Sequence, residues 1–213
     1  MKTLVYGMQS SGASLFTYFL AQRPDSIGVI DLYHDRLAPD LRSRHDILLK
    51  CTINNSHSLR DHQRSFRPDV SILFVRDPVQ NALRLSTKHW KEWSGTVGEK
   101  LALMNGYLKN WKAHFDFVVT YEDFLYRRAA IVDLLHLDSH YYSFPRSLDE
   151  VVQFSCAHSA WCREMYLKAW GTGDIRPDAI SLIANDIRTW CPEAFELYAG
   201  GSPLSFKADQ PRM

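Results

Sequence analysis

The chain has 213 residues, 46% hydrophobic and 23% charged, the composition of a folded globular protein rather than a disordered, collagen-like or coiled-coil one. Lys+Arg number 25 against 24 Asp+Glu, a net charge of +1, so no global field draws the chain onto nucleic acid or an anionic membrane, and an anion site must be local. The longest apolar runs, such as Val70–Val75, fall far short of the ~20 residues a membrane-spanning helix needs.

Met1-Lys2 runs straight into an apolar strand, Leu4–Tyr6, with no leader-like segment, which predicts a cytoplasmic protein or a domain of a longer one. Ser14–Arg23 reads as a helix with Leu15, Tyr18 and Phe19 on one face, stopped by Pro24. Ile27–Leu32 and Asp46–Ile53 read as strands and Ser58–Phe66 as a short helix. Val70–Val75 has the uninterrupted apolar character of a strand buried on both faces of a parallel sheet. Pro78–Trp93 is a long helix with Pro in its first turn, Ser94–Val97 a loop, and Lys100–His114 a further helix. Phe115–Thr120 is a fifth strand and Glu122–Leu135 a helix. Leu148–Trp170 and Pro177–Tyr198 look helical around a Gly171–Asp174 loop, and the polar tail from Gly200 is expected to fray.

Strands alternating with helices predict an α/β fold, a three-layer, open parallel sheet of about five strands with extra C-terminal helices; the Gly- and Ser-rich loop after the first strand, Gly7–Ser14, makes the expected topology P-loop-NTPase-like. Residues 1–200 form the expected single domain and 201–213 its tail. The four cysteines, Cys51, Cys156, Cys162 and Cys191, show no C-x-x-C pair, and are expected to be free thiols in a reducing compartment, with no structural metal.

The most informative stretch is Gly7-Met8-Gln9-Ser10-Ser11-Gly12-Ala13-Ser14, between the first strand and the first helix. A strand, a Gly- and Ser-rich loop and a helix start together cradle phosphates, through backbone N–H groups and the helix's positive end. Gly7, Gly12 and Ser14 fit the G-x-x-x-x-G-K-[ST] pattern, but Ala13 stands where its lysine would be, which argues against an ordinary ATP or GTP hydrolase. A second anchor is Arg76, which ends the Val70–Val75 strand at the carboxyl edge of the sheet, where open α/β folds bind ligands, and which suits bidentate phosphate recognition.

Together these residues resemble the sulfotransferases that use 3′-phosphoadenosine-5′-phosphosulfate (PAPS). In that family a first loop like G-x-x-[RK]-S-G-T-[TS]-L holds the 5′-phosphosulfate; Gly7, Ser11, Gly12, Ser14 and Leu15 match it. A later strand ends V-R-D-P and its Arg binds the 3′-phosphate; Val75-Arg76-Asp77-Pro78 matches in full. A further strand runs into Tyr-Glu-Asp, here Tyr121-Glu122-Asp123. The likeness covers roughly residues 3 to 125, in order. It departs at Ser10, where the family carries a basic residue, at Ala13, where it carries threonine, and at Arg84, where it carries a 3′-phosphate-binding serine; Ser86 lies two residues on.

The resemblance implies in-line transfer of a sulfuryl group from PAPS, without a metal, to a hydroxyl or amine of a carbohydrate, lipid or small-molecule acceptor. Lys50 resembles the lysine that contacts the bridging oxygen in some members. Three residues are candidates for the base: Asp31, which ends the second predicted strand and is expected beside the phosphate loop, His34 and His57, whose ordinary pKa suits proton transfer. The aromatics Trp90, Trp93, Tyr141, Tyr142, Trp161 and Trp170 read first as packing residues. A P-loop small-molecule kinase, with Asp31 imitating a Walker B acid, and a non-catalytic nucleotide-binding relative are the competing expectations.

Overall fold

The computed structural model describes residues 1–32, 35–86, 88, 92–142, 153–155, 188–199 and 206–207. His34, Trp90, Trp161, Trp170, Cys156, Cys162 and the Gly171–Asp174 loop lie outside them.

The five expected strands are present as β1 (Lys2–Gly7), β2 (Ser26–Asp31), β3 (Asp46–Thr52), β4 (Val70–Val75) and β5 (Phe117–Thr120). They run parallel, in the order β2-β3-β1-β4-β5. Two more pairings extend the sheet: β6 (Gln153–Ser155) lies parallel to β2, and β7 (Phe206–Lys207) antiparallel to β5. Both depart from the sequence reading. β6 falls inside the expected Leu148–Trp170 helix, where Gln153–Ser155 takes up the edge of β2. β7 falls in the tail expected to fray, and pairs Phe206 with Val118.

The helices are α1 (Ala13–Leu20), α2 (Leu59–Phe66), α3 (Pro78–Ser86), α4 (Val97–Lys109), α5 (Tyr121–Tyr126), α6 (Arg128–Leu134), α7 (Ser139–Tyr142) and α8 (Pro192–Ala199). Alternate strand residues face opposite sides of the sheet, so its buried strands feed two cores. Leu4, Tyr6, Leu49, Leu73, Val75 and Val118 pack with Leu59 and Phe66 of α2 and Leu101, Met104 and Leu108 of α4. Val5, Leu48, Ile72, Phe74 and Val119 pack with Phe16 and Phe19 of α1 and Phe124 of α5. Phe16 stacks on Phe74 with ring centroids 4.8 Å apart. Among the described residues no helix is long and apolar enough to cross a membrane.

Helix boundaries differ from the sequence reading where local backbone chemistry interrupts a continuous pattern. The expected Pro78–Trp93 helix ends as α3 at Ser86, and residues 92–94 form a turn. Ser94 (φ 55°) and Gly95 (φ 115°) are left-handed there, and Thr96 then starts α4 through a capping box with Glu99. The expected Glu122–Leu135 helix is split at Arg127, whose guanidinium pairs with the buried Asp123 carboxylate at 3.1 Å.

The strand order positions the site. From β1 the chain crosses over β3 to reach β2; from β4, the neighbour of β1 on the other side, it moves the opposite way to β5. The crevice between the carboxyl ends of β1 and β4 is therefore a topological switch point, the place where open α/β sheets bind ligands.

Candidate nucleotide-binding site

The loop from Gly7 to Ser14 fills that crevice. Its backbone carries two left-handed residues, Ser10 (φ 61°) and Gly12 (φ 95°), and Ser11 N–H closes a turn onto Met8 C=O at 3.2 Å. Such alternation of handedness turns successive N–H groups into one concavity. Gly12 is the N-cap of α1, no side chain caps that terminus, and no acidic residue lies in its first turn. The orphan N–H groups and the positive end of the helix dipole are thus left for a ligand. The Ser11 hydroxyl is buried without a hydrogen-bond partner and lies against Gly7. Ala13 is buried, its Cβ turned toward Gly7, so the position of the usual lysine or threonine faces the protein rather than the crevice.

The three motifs that carry the sequence resemblance meet here. Arg76 is 6% exposed; its Nη1 donates to the Ser10 carbonyl at 3.3 Å and its guanidinium lies 4.3 Å from the centre of the Tyr121 ring. That ring covers Gly12 so closely that a Cβ there would lie 2.6 Å from Tyr121 Cδ2. Asp77 caps α3, its Oδ1 accepting from the N–H groups of Val79 at 2.8 Å and Gln80 at 3.1 Å, while its own N–H donates to Glu122 Oε1 at 3.3 Å. Pro78, which has no N–H to lose, opens the helix. Arg76 therefore shapes the loop directly, and its Nε is the buried donor left without a protein partner.

Residues with no sequence motif complete the arrangement. Asn81 of α3 donates from Nδ2 to the Gln9 carbonyl at 2.7 Å. Lys100 of α4, fully buried, donates from Nζ to Gln9 Oε1 at 2.7 Å and to the Trp93 carbonyl at 2.6 Å. Burial lowers its pKa to about 8. Tyr198 of α8 donates to Glu122 Oε2 at 2.6 Å, and burial raises the pKa of Glu122. Of these, only Lys100 left a trace in the sequence: it stands on the apolar stripe of Val97, Leu101, Met104 and Leu108, where a charged residue is out of place.

The expected chemical residues fall at different distances from the loop. Lys50 on β3 is level with Val5 of β1, two residues before Thr52 meets Gly7 at the sheet's carboxyl end. Its Cα thus lies about 7 Å below that edge. It is 9% exposed, and among the described residues its ammonium has no hydrogen bond or ion pair. Asp31 is not beside the loop: β3 intervenes between β2 and β1, which puts Asp31 two strands, about 10 Å, from β1. His57 follows β3, the strand next to β1; its Nε2 lies 3.1 Å from the Asp35 carbonyl. Arg84 is half-buried, and its charge, like that of Arg76, lowers the pKa of Tyr121 against the larger, raising effect of burial. Ser86 is exposed at the end of α3, its hydroxyl donating to the Leu83 carbonyl at 2.8 Å. Trp93 is 46% exposed and Tyr142 is core, its hydroxyl on the Leu20 carbonyl at 2.9 Å.

Of the two strands that flank β1, β4 alone is followed closely by a carboxylate, Asp77. β3 ends Lys50-Cys51-Thr52, and the Asp77 carboxylate after β4 is taken up by the first turn of α3. Compared with known proteins, the chain matches no family model and no curated protein.

Proposed function

We propose that this chain is a sulfotransferase that binds PAPS in the crevice between β1 and β4 and passes its sulfuryl group to a hydroxyl or amine of a carbohydrate, lipid or small-molecule acceptor. The observation that carries this reading is the convergence of the loop, Val75-Arg76-Asp77-Pro78 and Tyr121-Glu122-Asp123 around an uncapped helix start, with Ser11 Oγ and Arg76 Nε buried and unpartnered beside it. Buried polar atoms without partners are rare, and an anion drawn into the loop would offer acceptors to these two.

The residues would divide the work as follows. The N–H groups and hydroxyls from Gly7 to Ser14 hold the 5′-side anion. Arg76 fixes the loop and offers Nε, while Arg84, near Tyr121, is the cation for the 3′-phosphate. The bound nucleotide supplies the sulfuryl group: its S–O bond to the 5′-phosphate breaks as a new bond to the acceptor forms. Lys50 steadies the charge gathering on the 5′-phosphate. The acceptor proton passes to a base, for which His57, on the loop after the strand beside β1, is better placed than Asp31.

Calorimetric titration tests this. The wild type is expected to bind 3′-phosphoadenosine-5′-phosphate (PAP) in preference to ADP or to ATP with Mg²⁺, and Arg76→Ala is expected to lose that binding by a hundredfold or more (roughly 3 kcal/mol for a buried, charge-assisted contact). Preference for ATP with Mg²⁺ would overturn the reading in favour of a kinase.

A further inference from the structure

The loop that would hold a multiply charged anion contains no charged residue: Gly7 to Ser14 reads Gly-Met-Gln-Ser-Ser-Gly-Ala-Ser. A positive charge nevertheless reaches it from ninety-one positions away in the chain. Lys100 is completely buried on α4, and its Nζ lies 2.7 Å from Gln9 Oε1. Burying an ammonium is costly, and an apolar residue there would serve the Leu101–Met104 core better.

The contact also fixes how Gln9 is oriented. An ammonium only donates hydrogen bonds, so the amide oxygen of Gln9 must face Lys100 and its NH₂ group must face away. That Nε2 has no hydrogen-bond partner among the described residues. The Gln9 main chain is held as well, by Asn81 on its carbonyl, which turns the Ser10 N–H the opposite way across the planar peptide. Gln9 is thus gripped at both its polar ends from helices on one side.

We propose that Lys100 is a positioning residue for the phosphate loop: it holds the Gln9 amide so that Nε2 donates to the 5′-side anion, and it supplies the loop's cation through that amide. The proposal rests on the nucleotide-binding reading above and adds the residue pair that would discriminate the 5′-anion. Among the described residues, the charges acting on Lys100 are Glu92, in the turn before α4, and Glu99, within it; both favour its charged form, against the larger effect of burial. Gln9 and Asn81, from the loop and from α3, are neutral. α3 also carries Arg84, and α8, packed on α4, carries Glu193, Glu196 and Tyr198.

The test compares two probes that differ only at the 5′ end, PAP and adenosine 3′-phosphate, by calorimetry at pH 7 on the wild type, Lys100→Met, Gln9→Met and the double variant. The wild type is expected to prefer PAP. Lys100→Met is expected to lose roughly tenfold to a hundredfold in PAP affinity with adenosine 3′-phosphate unchanged. Gln9→Met should lose as much, and the double variant no more than either single, because the two act as one unit. A merely structural lysine would weaken both probes alike; that result, or an unchanged PAP preference, or additive losses, overturns the proposal. If Lys100→Met does not fold, Gln9→Met decides alone, and an undiminished PAP preference in it overturns the proposal. A wild type that binds neither probe overturns the nucleotide-binding reading itself, and this inference with it; a wild type that binds PAP beside an unaltered Lys100→Met overturns only the inference.

Discussion

Gly12 answers to two constraints at once. Its φ of 95° disfavours any side chain, and the Tyr121 ring occupies the space a Cβ would need. Gly12→Ala is expected to cost about 2 to 4 kcal/mol, combining left-handed strain with overpacking, and to abolish PAP binding; urea unfolding and calorimetry read the two effects. His62 of α2 is another residue whose surroundings decide its chemistry. It is 1% exposed, its Nδ1 accepts from the Ala38 N–H at 3.2 Å, and burial, with the His57 charge adding to it, lowers its pKa to about 4. In the unfolded chain the ordinary value is about 6.5. Between those values the unfolded state binds a proton that the native state refuses. Its contribution to stability is therefore whole above pH 6.5 and is lost as the pH falls toward about 4, amounting to about 3 kcal/mol in all. Urea unfolding from pH 7 to pH 4.5 should show this loss, and His62→Asn, which keeps an acceptor for Ala38 without a titrating ring, should show a shallower slope. An unchanged slope would mean that other groups carry the acid sensitivity.

At the scale of elements, the starts of α2 and α3 were legible: Ser58, in a capping box with Asp61, and Asp77-Pro78 open them where expected. α4 was not: it starts at Val97, three residues before the expected Lys100, through a capping box of Thr96 with Glu99. Asp77→Ala should lower stability by about 1 kcal/mol, whereas Asp77→Asn, which keeps the acceptor, should stay close to wild type in the same denaturation experiment. Helix ends were less legible. Periodicity alone carried the expected third helix on to Trp93, past Ser86 where α3 ends; the loop expected from Ser94 is present, with Ser94 and Gly95 left-handed in the turn before α4. That turn also brings the Trp93 carbonyl to Lys100, so a boundary missed in the sequence is part of how the loop is supported.

For the whole molecule, the sheet's two outer strands are the parts sequence reasoning did not reach. β7 closes the free edge of β5 through Phe117 and Lys207, and Val118 and Phe206. Truncation after residue 200 should therefore expose that edge. Hydrogen exchange at the amides of β5 is expected to quicken in the truncated chain, while those of β1, between β3 and β4, stay protected. Equal protection of β5 in both chains would show that β7 contributes nothing to the edge. The strand order matters equally to the chemistry. β3, not β2, is the neighbour of β1, which brings Lys50 and His57 toward the loop and leaves Asp31 two strands away.

The sequence by itself determined the alternation of strands and helices, the buried character of β1 and β4, and the loop, arginine and Tyr-Glu-Asp motifs. Each is written in residues adjacent in the chain, where hydrophobic period, caps and glycines act over a few positions. Only the tertiary structure decided which strand borders β1, that Tyr121 seals Gly12, and that Asn81 and Lys100 grip Gln9. Those contacts join residues 72, 91 and more positions apart. Their geometry follows from how two cores pack against one sheet, and no local pattern in the chain encodes a distance across it.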